Sequence, residues 1–201
     1  TDSFGIDIQE ETRRWFDHWL KKIDTGMMDE PPIRYFVVGE EPEFGWKSAT
    51  QWPLPQEVRE EYFFTQGKTG TVQSVNDGSL SVIPIFSDVG KDLYLVDRGV
   101  SLGSFLARNN GVMRECGEKF KVDKSCYLNS GYPDLSERYD AKGLTYTSGK
   151  LVEDMVIAGH PVVRLWVTAN TGDADFFIVL EEVEPDGTSH FVTTNAVRAS
   201  H

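Results

Sequence analysis

The hydrophobic pattern changes its period near residue 30. Before that point Trp15, Trp19 and Ile23 recur at a spacing of four, and Phe16 with Leu20 forms a second row beside them. Positions four apart lie on one face of an α-helix, so the two rows make a single apolar stripe. Arg13, Arg14, Asp17, Lys21 and Lys22 fall on the other side. Thr25-Gly26 supplies a stop, with basic residues in the last turn as the helix dipole prefers. Asp29-Glu30-Pro31-Pro32 then reads as a stiff connector.

Past the connector the alternation has a period of two. Residues 33–38 read as a strand stopped by Gly39, and residues 40–55 as a long irregular segment carrying Trp46 and Trp52. Strands are expected over residues 60–65 and 72–75, then a turn at Asn76-Asp77-Gly78-Ser79. Residues 80–86 alternate but contain Pro84, which cannot donate to a ladder, so they fit an edge strand. Residues 87–135 are weakly patterned. Strands follow at 144–147, 155–158, 161–168 and 175–183, and Pro185-Asp186-Gly187 turns the last of these into a partner at 190–197. Short strands separated by turns, without intervening helices, predict a mostly β chain: an antiparallel sandwich preceded by one amphipathic helix.

Composition narrows the partners. Of 201 residues 39% are hydrophobic and 12% aromatic, enough for a buried core. The net charge of −12 repels phosphate backbones and anionic lipid, which argues against nucleic acid and membrane surfaces as partners. The acid is spread in pairs such as Glu10-Glu11 and Glu60-Glu61, unlike a disordered acidic tail. No apolar run reaches membrane-span length, and the opening TDSFGIDIQE has neither the basic nor the apolar region of a signal peptide. A cytoplasmic location is therefore the favoured expectation. Cys116 and Cys126 match no zinc or redox spacing and read as buried or unpaired thiols, the alternative being a single disulfide that an oxidising compartment would be needed to form.

One stretch spells a catalytic motif. Gly99-Val100-Ser101-Leu102-Gly103 is G-x-S-x-G, the elbow that lifts a nucleophilic serine above a parallel sheet. The elbow needs a strand before it, a helix after it, and then an acid and a histidine in βα units. Residues 93–96 and 104–110 supply a weak strand and two helical turns, but no amphipathic helix follows. The later histidines are His160, His190 and the terminal His201. Ser101 therefore reads as a loop serine, and no catalytic residue is assigned. Asp173, Asp175 and Glu181 carry the hard oxygens calcium favours, but without a tight D-x-D-x-D loop they read as solvated carboxylates, and neither metal nor cofactor is expected. His160 and His190 read as surface or edge histidines. Trp46 and Trp52 are weak candidates for stacking on a sugar or peptide.

Four stretches carry a family resemblance. They are RRWFDHWLKKIDTGMMDEPPIRYFVVG from Arg13, FGWKSATQWPLP from Phe44, LTYTSGKLVEDMVIAGHPVVRLWV from Leu144, and GDADFFIVLEEVEPDG from Gly172. In this order they resemble the C-terminal region of the CocE/NonD hydrolases, the group of X-Pro dipeptidyl-peptidases, cocaine esterase and α-amino-acid ester hydrolases. The resemblance implies a galactose-binding-like jelly-roll β-sandwich. It also implies that the Ser-Asp-His triad belongs to a separate α/β-hydrolase domain, with no counterpart among these residues. Residues 1–30 would be the helix and connector that end that hydrolase domain. Residues 31–201 would be the accessory sandwich, truncated at its C-terminus since the family continues with further strands. The expected role is packing, cleft shaping and assembly; the alternative is a free-standing carbohydrate- or peptide-binding module. The stripe of Trp15, Phe16, Trp19, Leu20 and Ile23 would be an interface with the hydrolase domain, and in an isolated chain it would support a homodimer.

Overall fold

The computed structural model describes residues 6–40, 42–84, 90–96 and 140–200. The described residues divide into two compact units, the first ending at residue 58 and the second beginning at residue 59.

The first unit opens with helix α1, Ile8–Lys21. Asp7 caps it, its carboxylate accepting from the backbone N–H groups of Gln9 at 3.0 Å and Glu10 at 3.1 Å. Glu10 and Glu11 add negative charge to the first turn, where the dipole favours it. The helix ends earlier than the Thr25-Gly26 signal suggests. Lys22 adopts the left-handed conformation at φ 60° and its N–H returns to the Asp17 carbonyl. Gly26, also left-handed, instead opens a 3-10 turn at Met27–Asp29. Strand β1, Ile33–Phe36, then pairs antiparallel with β2, Trp46–Ala49, through the single helical turn α2, Pro42–Gly45. The segment expected to be irregular thus contains half a hairpin. Its Pro, Gly and Trp content marks the tight reversal and hides the short strand after it. Leu54 is the buried apolar side chain of this unit.

The second unit holds two sheets. Strands β3 (Phe63–Thr65), β4 (Gly78–Ser81) and β5 (Tyr146–Ser148) form one, in that order. The β3–β4 pair is antiparallel, but β4–β5 is parallel, against the all-antiparallel expectation. The parallel join is held by side chains of the turn before β4. Asn76 Oδ1 accepts from the Thr145 N–H at 2.8 Å, and the Thr145 hydroxyl bonds Ser74 at 2.6 Å. Tyr146 stacks on Phe64 with ring centroids 4.4 Å apart, crossing over Gly78, where an added Cβ would lie 2.6 Å from the Tyr146 ring. Val72 is the buried apolar side chain.

The other sheet is the hairpin of β6 (Asp175–Val183) and β7 (Ser189–Arg198), in register from Asp175↔Arg198 to Val183↔Ser189. Here the expectation from alternation and the Pro-Asp-Gly turn agrees with the structure. A bulge interrupts the ladder: Leu180 pairs with Thr193 and Glu181 with Phe191, so Val192 is the extra residue. On β6 the half-buried side chains shift from Phe176, Ile178 and Leu180 below the bulge to Glu181 and Val183 above it.

The chain is therefore mostly β with one N-terminal amphipathic helix. Its described strands form small separate sheets of two, three and two strands, with no jelly-roll topology among them. Residues 72–75, 155–158 and 161–168 are not strands. Their branched and aromatic residues have the composition of strands, but β-propensity measures fit against neighbouring side chains, and no described strand pairs with them. Val152 and Trp166 are left 99% and 93% exposed.

Candidate docking surface

Helix α1 ties its charged side together with ion pairs. Asp17 is buried and holds two cations from its own helix, Arg13 at 2.8 Å one turn before and Lys21 at 2.6 Å one turn after. Those contacts, Lys21 first, keep its carboxyl below the usual aspartate range. Arg14 clamps the chain that follows. It pairs with Glu11 at 3.1 Å and with Glu30 from the connector, and donates to the Thr25 carbonyl at 3.4 Å. The connector is thus folded against the polar side of the helix by ion pairs.

The apolar stripe faces away. Trp15 is 51% exposed, Phe16 50%, Trp19 43%, Leu20 73% and Ile23 48%. The two tryptophans lie against each other with centroids 5.7 Å apart, and His18 stands edge-on to Trp19 at 4.9 Å. The His18 Nδ1 atom, at the border of the stripe, is buried without a hydrogen-bond partner. An amphipathic helix in a self-sufficient domain puts its apolar side into the core. Here that side is left open, a contiguous apolar surface of the kind that marks an interaction site. Sequence periodicity identifies the stripe. The pairing of Arg14 with Glu30 of the connector, sixteen residues on, was not anticipated.

The two candidate stacking residues are not brought together. On the β1–β2 ribbon Trp46 is opposite Phe36, packs on it edge-to-face at 5.4 Å, and lies under the Arg34 guanidinium at 5.3 Å. Trp52 packs edge-to-face on Tyr35, 5.5 Å away. Tyr35 and Phe36 are consecutive strand residues and point to opposite faces, so the two tryptophans serve opposite faces of the ribbon.

The remaining candidates are dispersed. Ser101, Cys116 and Cys126 lie outside the described residues, as does His201. His160 is exposed. His190 stands on β7 with Nε2 3.9 Å from Glu184. Asp173 accepts from Arg198 at 2.6 Å and from Ser200 at 3.0 Å, closing the open end of the hairpin. Asp175 reaches the same guanidinium at 3.8 Å, while Glu181 lies at the bulge. Among the described residues no group of three potential metal ligands assembles, and no helix is long and apolar enough to cross a membrane.

Residues 25–201 match the family model of the X-Pro dipeptidyl-peptidase C-terminal non-catalytic domain. The chain belongs to this family. PepX_C membership accounts for the resemblance carried by the four sequence stretches. Two curated relatives, each bearing the name "Putative serine esterase", come from Mycobacterium bovis and Mycobacterium tuberculosis. Each is 32% identical over 196 residues, covering 98% of this chain and 27% of the relative. The chain thus spans about a quarter of the length of the curated relatives it matches. No solved structure matches the chain with comparable significance. The helix α1 precedes the PepX_C match, which begins at Thr25, but lies within the region shared with the esterase relatives.

Proposed function

We propose that this PepX_C chain is the accessory module of a serine hydrolase and docks through the α1 stripe onto an α/β-hydrolase domain. It packs against that domain, shapes one wall of its cleft and supports assembly. The hydrolysis of an acyl ester or peptide bond is then the work of the docked domain. The observation that carries this reading is the open stripe: five large apolar side chains exposed along one side of the helix, with the connector held to the other side by Arg14. The size of the esterase relatives supports it, since most of each lies outside the shared region and offers a surface for the stripe. In this reading residues 1–30 belong with the hydrolase domain and residues 31–201 form the β module. The family's jelly-roll sandwich would be completed when the strand-like residues 161–168 find neighbours. In the isolated chain the same stripe pairs with a second copy.

The test is a calorimetric titration of this chain with the segment of the M. tuberculosis relative outside the shared region. Saturable binding that is lost on replacing Trp15 and Trp19 by serine is the expected result. No binding, together with a monomer at high concentration by light scattering, would overturn the docking role. A positive glycan or peptide array that depends on Trp46 or Trp52 would favour a binding module instead.

A further inference from the structure

The three-stranded sheet ends in a cavity that the docking role does not use. Strands β4 and β5 run parallel and stay paired as far as Leu80 opposite Ser148. Beyond that pair the two chains part. Ser81 turns the chain after β4, its hydroxyl accepting from the Ile83 N–H at 3.0 Å and donating to the Ile83 carbonyl at 3.1 Å. After β5 the Ser148 hydroxyl donates to the Gly149 carbonyl at 3.1 Å. Tyr62, which leads into β3, supplies the third side. The gap between these strand ends is an open cavity of about 370 Å³. That is within the range of small-molecule sites, about 300–1,000 Å³.

The walls are apolar apart from one charge. Val82, Ile83 and Leu151 line the cavity and are exposed although apolar. The hydroxyls are already engaged as donors: Ser81 to Ile83, Ser148 to Gly149, and Tyr62 to Glu60 Oε2 at 2.9 Å. Lys150 is the charged side chain of the lining, and among the described residues no carboxylate pairs with it. The chain has 32 acidic residues to 20 basic ones, so this lysine is not unpaired for want of carboxylates. We propose that the cavity binds a monocarboxylate with an apolar body, the body covering Val82, Ile83 and Leu151 and the carboxylate pairing with Lys150.

Other ligand classes fit this lining less well. A sugar needs several free side-chain donors, and the hydroxyls here are engaged. A phosphate ester carries more negative charge than one ammonium offsets. A plain hydrocarbon leaves Lys150 unused. An ammonium is a compact point charge, which one carboxylate satisfies. At about 30 Å³ for each water-sized atom the cavity holds about twelve, so an acid of roughly eight to ten carbons fills it. Each methylene fully taken from water should tighten binding about fourfold, and each half-covered one about twofold. The site lies in the second unit and makes no use of the α1 stripe, so it holds or fails independently of docking.

The test is an NMR titration of the whole chain with hexanoate, octanoate and decanoate, and with 1-octanol as the uncharged probe. The expected result is a set of saturable shifts centred on the Gly149, Lys150 and Leu151 amides. Affinity should rise about two- to fourfold per methylene from hexanoate to octanoate. Lys150→Met keeps an apolar stem without the charge, so it should weaken octanoate about fivefold and leave 1-octanol unchanged. Ile83→Ser should weaken both probes alike, and at 71% exposure Ile83 contributes little to the fold itself. No saturation by about 10 mM octanoate, shifts centred on the α1 indoles, or equal losses of the two probes in Lys150→Met would overturn the site. The wild-type shifts decide the matter even if a variant fails to fold.

Discussion

Replacing Trp15 and Trp19 by serine should abolish docking while leaving the helix intact. The two side chains are 51% and 43% exposed, so a partner can cover roughly half of each. A buried aromatic removes about 150–250 Å² from water, so half of one is about 100 Å². At about 25 cal/mol per Å² each tryptophan contributes about 2.5 kcal/mol to docking, and the pair about 5 kcal/mol. Since each 1.4 kcal/mol is a factor of ten, the double variant should bind more than about a thousandfold more weakly. Serine and tryptophan have similar helix propensities, and the Asp7 cap and the Arg14 clamp are untouched, so the free chain should melt as before.

Three measurements check this. Calorimetry against the hydrolase portion of an esterase relative reads the loss of affinity. Light scattering reads whether self-association of the isolated chain disappears with the same substitutions. Far-ultraviolet circular dichroism during urea unfolding reads helix stability. If the double variant keeps its affinity, the stripe is not the interface. If it instead loses several kcal/mol of helix stability without a partner present, the stripe packs within the chain and the docking argument is wrong.

Asp7→Ala should cost about 1 kcal/mol of α1 stability, read by circular dichroism, because two backbone donors lose their acceptor. Gly78→Ala should destabilise the three-stranded sheet by about 1–3 kcal/mol in urea, since the new methyl meets the Tyr146 ring at 2.6 Å and the Thr65 carbonyl at 2.9 Å. The Asp173 carboxyl is held low, by Arg198 above all. Its contribution is therefore complete above the ordinary aspartate value and is lost as pH falls through the lower folded value. Protection of the Ala199 amide, which bonds Ala174, taken relative to the intrinsic exchange rate at each pH, should fall in acid, and Arg198→Ala should bring that fall to higher pH.

What the sequence revealed depended on how local the determinant was. Helix α1 and the β6–β7 hairpin were legible because each is specified by its own residues: a stripe at spacing four in one, alternation around Pro185-Asp186-Gly187 in the other. Strand β2 was missed because four residues inside a segment rich in Pro and Trp present no period, and its place is set by pairing with β1. The parallel β4–β5 pair was equally hidden, since it joins residues nearly seventy positions apart through Asn76 and Ser74. Residues 161–168 show the opposite failure, a strand-like pattern with no described partner. As for the candidate surface, its members were readable from spacing. Its outward direction was not, because that depends on the Arg14–Glu30 pair across the connector.

That ion pair also bears on how so exposed a stripe stays in the open. If the connector were free, α1 could roll its tryptophans onto any apolar patch nearby. Arg14 instead holds the connector to the charged side through Glu30 and the Thr25 carbonyl, while Asp17 secures the helix internally through Arg13 and Lys21. Rolling the stripe toward the connector would have to break the Arg14 contacts, whereas the Asp17 pairs, made within the helix, would move with it. The charged side therefore sets the orientation and the apolar side supplies the affinity. A docking helix built this way presents one prearranged face, so less ordering remains to be done when the partner arrives.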